Sequence, residues 1–397
     1  MRKIGIFLLG MLALTGTLYY TGQRLSQTES SLYRQEDIGA GQEAQKLPEQ
    51  VLAQVDEKLR DKQLDCYAFG KLSEEEQEVY LEILDALAAF RENVRLSTCD
   101  RELISRVFQC VLNDHPEIFY VEGYSYTEYT LGSLLKKITF TGSYCFSPEE
   151  VEDVKRQIEN YVNQCFAGMP ENIDEYGKVK YIYEYLIHHT DYDADVENSQ
   201  NICSVFLARK SVCQGYAKAT QYLLNRAGIF ATLVLGRVTG GEGHAWNLVR
   251  IDGEYYYVDT TWGDASYQAV GGSDYPIEKI PTINYDYLCV TTEQLETTHT
   301  PENVVDLPQC TAMDANFYVR EGMYFTEWDE EKIKKIFADG YERGDTYVTL
   351  KCDGAAVYQK MQEELIEGQK IFLYLDCLDK AVSYVENEKQ YSLSFWL

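Results

Sequence analysis

No Cys-x-x-Cys pair occurs anywhere in the 397 residues, although the chain has 11 cysteines. Zinc sites of the usual ligand spacing and a thioredoxin-type dithiol are therefore disfavoured. The thiols are spread along the chain rather than clustered, so a stapled disulfide scaffold is not expected, and their odd number leaves at least one unpaired. Proline is scarce, at 8 residues, and no internal repeat is visible. That argues against a Pro-rich disordered chain or a solenoid. Positive charge is also short, with 36 Lys and Arg against 64 Asp and Glu and a formal net charge of −28. Such a field repels phosphate backbones, which excludes nucleic acid as an expected partner.

What is present is the material of folded domains. Apolar residues make up 45% and charged residues 25%, and tyrosine is over-supplied at 33. A chain of this length divides into two or three units. Residues 1–25 place Arg2 and Lys3 before an apolar run from Ile4 to about Tyr20, the layout of a signal peptide or membrane anchor. The polar stretch 26–65 reads as a linker or stalk with some helix after Pro48. The expected location is extracellular, or membrane-anchored with the folded part outside the cytoplasm. The membrane is then a partner through the N-terminal segment if that segment stays uncleaved.

The remaining units are an N-terminal α/β region at 66–170, a core at 171–304 and a small C-terminal α/β domain at 305–397. Ser73 followed by three glutamates opens a helix over 73–91, with Val79, Ile83, Leu87 and Phe90 on one stripe. A helix over 100–113 stops before Asp114-His115-Pro116, and alternating segments at 118–129 and 135–145 predict strands. Helices follow at 148–165 and 172–189. Beyond 305 the pattern predicts strands at 316–325, 346–352, 370–376 and 390–396 and helices at 328–342 and 355–366. Cys310, Cys352 and Cys377 there have no histidine near them in sequence and are read as structural or incidental.

The chemistry concentrates between residues 211 and 264. Over 211–228 an apolar stripe of Tyr216, Ala219, Leu223 and Ala227 runs to a terminating Gly228, placing Cys213 at the start of a buried helix. Unpaired N–H groups and the helix dipole favour a thiolate there. A cysteine on a helix is more often a small buried hydrophobe, so the thiol needs company to count. A strand at 231–239 supplies it, followed by a Gly-rich loop and then His244-Ala245-Trp246-Asn247 entering a hairpin turned by Asp252-Gly253. Asp-Gly suits a two-residue type I′ turn. Opposite positions then sum to 505, Asp259 faces Trp246, and His244 and Asp259 become diagonal neighbours on one face, roughly 7–8 Å apart along the backbone. A thiolate held by an imidazole that a carboxylate orients is the constellation of nucleophilic acyl transfer.

The segments SVCQGYAKATQYLLNRAGI and GHAWNLVRIDGEYYYVDTTWGD closely resemble the transglutaminase-like superfamily, over about Tyr181 to Asp264. Asp114-His115-Pro116-Glu117-Ile118-Phe119-Tyr120 also looks like bacterial members with secreted, multi-part chains. The resemblance implies an α+β fold, in which a papain-like core packs the Cys-bearing helix on an antiparallel sheet bearing the His and Asp. It makes Cys213 the nucleophile, His244 the general base and Asp259 the third member. The implied reaction is attack on an amide to form a thioester, released by water (peptidase or amidase) or by an amine (cross-linking). A protein or peptide substrate follows, a cell-wall peptide among the options, with no cofactor and no metal. The Cys213 backbone N–H is one expected oxyanion donor, with Gln200 or Tyr192 as the second. Trp246 and Trp262 either line the cleft or fill the core. A non-catalytic surface scaffold with the same fold is the competing class, and a Cys203–Cys213 disulfide would gate the enzyme by redox.

Other constellations carry less. The loop Asp191-Tyr192-Asp193-Ala194-Asp195 has Val196 and Ile202 where an EF-hand needs glycine and glutamate, so it reads as a solvated acidic loop. His188 and His189 suit a helix C-terminus. His115 and His299 show no sequence partner that suggests catalysis.

Overall fold

The computed structural model describes residues 2–8, 51–131, 133–264, 282–302, 304–375 and 382–397. Residues 9–25 of the apolar leader, 26–50 of the expected stalk, and Cys377 lie outside them. Among the described residues no helix is long and apolar enough to cross a membrane.

The first sheet runs through β1 (Arg2–Leu8), β2 (Val51–Leu52), β3 (Val94–Arg95), β4 (Val121–Leu131) and β5 (Leu134–Tyr144), in the spatial order β1-β4-β5-β3-β2. Helix Glu74–Ala88 packs on it and starts with a complete capping box, Ser73 accepting from the Glu76 N–H while the Glu76 carboxylate accepts from the Ser73 N–H. The expected stripe is buried as far as Leu87. Phe90 falls beyond the helix at φ 52° and meets Tyr120 and Tyr144 at 4.9 and 4.3 Å between ring centroids. Helix Arg101–Asp114 ends on a buried carboxylate that accepts from the Ala68 and Phe69 N–H groups and from the Tyr80 hydroxyl. Burial raises the Asp114 pKa from its ordinary value.

Helices Pro148–Ala167 and Glu175–His189 lead to the short parallel pair β6 (Asp191–Tyr192) and β7 (Lys210–Ser211), and then to helix Cys213–Arg226. That helix lies on the antiparallel sheet of β8 (Phe230–Val238), β9 (Gly243–Ile251), β10 (Glu254–Val258), β11 (Leu288–Val290) and β12 (His299–Pro301), ordered β11-β10-β9-β8-β12. Asp252 and Gly253 both take positive φ, 51° and 90°, as a type I′ turn requires. The register follows from the turn: Glu254 pairs with Ile251 and Val258 with Asn247. One continuous apolar core extends from Ala68 to Tyr318 and so joins the N-terminal sheet to the Cys213 helix.

A second core, from Phe325 to Phe395, belongs to the C-terminal sheet of β13 (Tyr324–Phe325), β14 (Tyr347–Cys352), β15 (Tyr384–Asn387) and β16 (Ser392–Trp396), with helices Glu330–Arg343 and Ala355–Met361. Two expected strands are replaced here. Within 316–325, Asn316 caps a helical turn, Phe317–Arg320, by accepting from the Tyr318 N–H, and Phe317 stacks on Tyr285 at 3.7 Å, so only Tyr324–Phe325 is extended. Over 370–376, Gln369 at φ +56° turns the chain into a 3₁₀ turn, Lys370–Leu373, that buries Ile371. Strand β15 was not expected from the sequence. It is a half-exposed edge strand, where the hydrophobic alternation that marks a strand is weak.

The C-terminal unit docks through a buried polar cluster on Asp286. Its carboxylate accepts from Lys351 Nζ at 3.2 Å, Asn387 Nδ2 at 2.9 Å and Ser392 Oγ at 2.7 Å. The Lys351 and Asp286 side chains are 3% and 4% exposed, so neither charge has water as a substitute partner. Asp286→Ala is therefore expected to cost about 3–5 kcal/mol, read as a lowered urea midpoint, and Lys351→Met in the same chain to recover part of that loss.

Candidate active site

Cys213 is the first residue of its helix, after an extended Val212 at φ −110° and ψ 177° whose side chain makes no cap. The turn before it is fixed by serine hydroxyls. Ser211 Oγ donates to the Ser199 carbonyl at 3.0 Å and lies 2.7 Å from Ser204 Oγ. Gly215 leaves room for them, since a Cβ there would fall 2.0 Å from Ser211 Oγ and 2.6 Å from the Ser199 oxygen. The rest of the motif holds the helix to the sheet. Tyr216 donates to the Thr190 carbonyl and sits 2.6 Å from Asp264 Oδ2. Asn247 Nδ2 donates to the Ala217 and Thr232 carbonyls, and the Thr220 and Thr260 hydroxyls meet at 2.8 Å.

From β9, His244 presents Nε2 to Asp259 Oδ2 at 2.6 Å. Both residues are buried, at 6% and 1% exposure. Asp259 stands just past the last paired position of the hairpin, so it keeps the expected diagonal side of the sheet while its backbone turns away. There its N–H donates to the Tyr287 carbonyl at 3.0 Å, and its Oδ1 accepts the Trp262 N–H at 3.1 Å. His244 thus bonds Asp259 through Nε2, and the Cys213 sulfur lies near enough to the ring to act on its charge.

The electrostatics follow from burial and proximity. Desolvation alone would lower the His244 pKa, but the Asp259 carboxylate and the Cys213 sulfur beside it push it up to about 10. Burial likewise opposes ionisation of Asp259, yet the His244 and His299 rings hold its carboxyl well below the usual carboxylate range. At neutral pH the stable arrangement is thus an imidazolium held against the Asp259 carboxylate with the Cys213 sulfur beside it, and an imidazolium so placed can return a proton to a leaving group.

His299, which has no visible partner in the sequence, belongs to this cluster. Strand β12 pairs with the edge of β8, His299 opposite Val238, and this aims His299 Nε2 at Asp259 Oδ2 at 3.0 Å. The ring is 1% exposed and packs among Trp246, Trp262 and Tyr287, with centroids 5.0, 4.7 and 5.5 Å away. Only a long-range strand pairing brings it there, and nothing in the flanking Thr-Thr-His-Thr-Pro announces that pairing. The donor atoms of His244, Asp259 and His299 lie within 4.8 Å of one another, close enough for a metal ion. Those atoms are already bonded to each other through Asp259 Oδ2, and an ion would have to replace both contacts.

The other residues singled out fall into place as follows. Trp246 is core: it is fully buried, and its ring end lies 2.4 Å from where a Gly236 Cβ would stand. Trp262 is half-buried, 5.9 Å from the His244 ring, and closes one side of the cluster. Tyr192 pairs with Ser211, two residues before Cys213, and Gln200 follows the Ser199 carbonyl that rests against the first helical turn. Cys203 and Cys213 are both free thiols. His189 stacks on Tyr185 at 4.1 Å and contacts its carbonyl, and His115 Nδ1 meets Glu117 at 2.7 Å, both away from the cluster. Asp193 caps its own acidic loop and pairs with Lys210.

Two outcomes are expected. Because the His244 pKa is raised, the pair's contribution to stability is full below pH 6.5 and is lost as pH rises through about 10. Because the Asp259 pKa is depressed, its contribution is present above about pH 4 and is lost on further acidification. Asp259→Asn should therefore lower the melting temperature most between about pH 4 and 6.5, the difference from the unmodified protein shrinking towards pH 10. Gly215→Ala should cost about 1–3 kcal/mol by overpacking the first helical turn, measured by thermal unfolding.

Residues 159–260, which include all of Cys213, His244 and Asp259, match the model of the transglutaminase-like superfamily. Kyphoscoliosis peptidase from Mus musculus is 28% identical over 102 residues, covering 22% of this chain and 15% of the relative, and its Homo sapiens counterpart is 30% identical over the same shares. The chain thus spans about 15% of the length of the curated relatives it matches. A crystal structure of a TGase aligns with 17% identity over 41% of this chain and 50% of that one, at a TM-score of 0.27. The α+β unit that places a cysteine-bearing helix on a sheet bearing histidine and aspartate is a core of the transglutaminase-like superfamily.

Proposed function

We propose that this protein is a cysteine enzyme that acts on amide bonds by acyl transfer. The supporting observation is the line of contacts from Cys213, at the tip of its helix, through His244 to the buried Asp259. The Cys213 thiolate attacks the amide carbonyl carbon and forms a C–S bond. As the C–N bond breaks, the His244 imidazolium gives its proton to the departing amine. His244, now neutral, takes a proton from water or from a second amine as that nucleophile attacks the thioester, and the C–S bond breaks to restore the thiolate. The Cys213 backbone N–H is the first oxyanion donor, and Gln200 or Tyr192 the second, each lying beside the first turn of the helix.

A burial argument favours catalysis over a scaffold that has lost turnover. An ionised pair kept at 6% and 1% exposure is costly to desolvate, and well-packed apolar residues of similar volume would often serve stability as well. The substrate is read as a protein or peptide, in keeping with the resemblance to peptidases and transglutaminases. The arrangement of Arg2 and Lys3 before an apolar run supports action outside the cytoplasm, where a cell-wall peptide would be within reach.

The test is selective alkylation. At pH 6 iodoacetamide is expected to modify Cys213 ahead of the exposed Cys99, and His244→Ala to abolish that preference. On peptide amides His244→Ala should lose about 10²–10⁴-fold in rate, with product analysis in the presence of a free amine dividing hydrolysis from transfer. Equal alkylation of Cys213 and Cys99 in the unmodified protein would sink the enzymatic reading.

A further inference from the structure

Asp259 Oδ2 faces two imidazole Nε2 atoms, at 2.6 Å from His244 and 3.0 Å from His299. A triad needs only the first of these. The second ring is anchored independently, because its Nδ1 lies 2.8 Å from Thr298 Oγ1, which is also within reach of the Leu295 carbonyl at 3.3 Å and the Tyr287 hydroxyl at 3.4 Å. Resting on the functional reading above, we propose that His299 is a positioning residue, sharing the Asp259 carboxylate with His244 and so setting how tightly the His244 ring holds its proton.

The sign of the effect does not depend on which protonation state His299 adopts. If neutral, His299 donates Nε2–H to Asp259, and the Thr298 hydroxyl donates to Nδ1. Part of the carboxylate's hydrogen-bonding capacity is then withdrawn from His244. If cationic, Nδ1–H donates to Thr298 Oγ1, whose own proton turns to the Leu295 carbonyl, and the ring's charge repels the imidazolium of His244, 5.4 Å away between centroids. Either way His299 makes the His244 proton easier to release. That matters for the step in which His244 must pass the proton to a departing amine rather than keep it against Asp259.

Among the described residues the groups facing His299 are few. Asp259 and His244 approach from the hairpin, Tyr287 from the turn before β11, and Thr298 from the turn that leads into β12, with Cys213 reached through His244. Arg237, on β8, pairs instead with Glu302, and both are exposed. The Trp246 and Trp262 rings also pack against His299.

The experiment is a histidine titration of the full chain by ¹³C NMR, the His244 resonance being assigned by its loss in His244→Ala. His299→Phe removes the donor while keeping a ring among the aromatic neighbours. His299→Gln restores an N–H at the position of Nε2. The expected result is a His244 midpoint raised by about one pH unit in His299→Phe and returned to within a few tenths of the unmodified value in His299→Gln. The rate of amide turnover should fall in His299→Phe through kcat, with KM unchanged, and recover in His299→Gln. An unshifted midpoint in His299→Phe, with Cys213 still alkylated first at pH 6, would overturn the role of His299 and leave the functional reading standing. Loss of preferential alkylation in the unmodified protein would instead remove the functional reading itself. Should His299→Phe not fold, Thr298→Val, which frees the far side of the ring, serves the same comparison: an upward shift supports the proposal and none refutes it.

Discussion

One buried negative charge organises the half of this molecule that carries Cys213 and His244. The Asp259 carboxylate sits at 1% exposure, where an uncompensated ion would cost several kcal/mol, and it is kept ionised by two imidazoles and one backbone N–H. Each partner comes from a different piece of chain: the β9 strand, the β12 edge strand and the Trp262 turn. The charge therefore selects a tertiary arrangement as well as a chemical state. Its own backbone is tied to the Tyr287 carbonyl, so β11 is drawn into the same requirement.

The helix that carries Cys213 is subject to a different constraint, one of volume. Its first turn lies so close to the Ser199 carbonyl and the Ser211 hydroxyl that position 215 accepts only hydrogen for a side chain. Farther along, Tyr216 and the Asn247 amide tie the helix to Thr190, to Asp264 and to the sheet below. The motif residues between Cys213 and Asn247 thus divide the labour. Cys213 and His244, with Asp259 beyond them, carry the sulfur and the charges, and Gly215, Tyr216 and Asn247 set the distance at which those three meet.

Much of this could be read from the chain. The Asp252-Gly253 turn fixes a register, the register puts His244 and Asp259 on one face, and both turn residues take the positive φ that the reading requires. Ser73 and Glu76 mark a helix start because their capping is local. What escaped was set by distant contacts. His299 acquires its role from an edge-strand pairing with β8, and the stretch around Phe317 becomes helical where Asn316 caps it and Tyr285 offers a ring to stack on. The strand expected over 370–376 is lost to a left-handed Gln369, a conformation that glutamine seldom announces in sequence. The oxyanion donors remain the least legible part, since backbone N–H groups carry no residue signature.

The Asp286 cluster gives the C-terminal unit a standing that its separate core would not suggest. Asp286 and Tyr287 are consecutive residues on one tight turn. The first is clamped by Lys351, Asn387 and Ser392, while the second lends its carbonyl to the Asp259 backbone and its ring to the wall around His299. Removing residues after about 320 would therefore do more than shorten the molecule: it would strip the ligands from a buried anion one peptide bond away from the scaffold around Asp259. A minimal fragment cut at the edge of the family match would be a different molecule, and any swap of the C-terminal unit for another must bring its own cation to that turn.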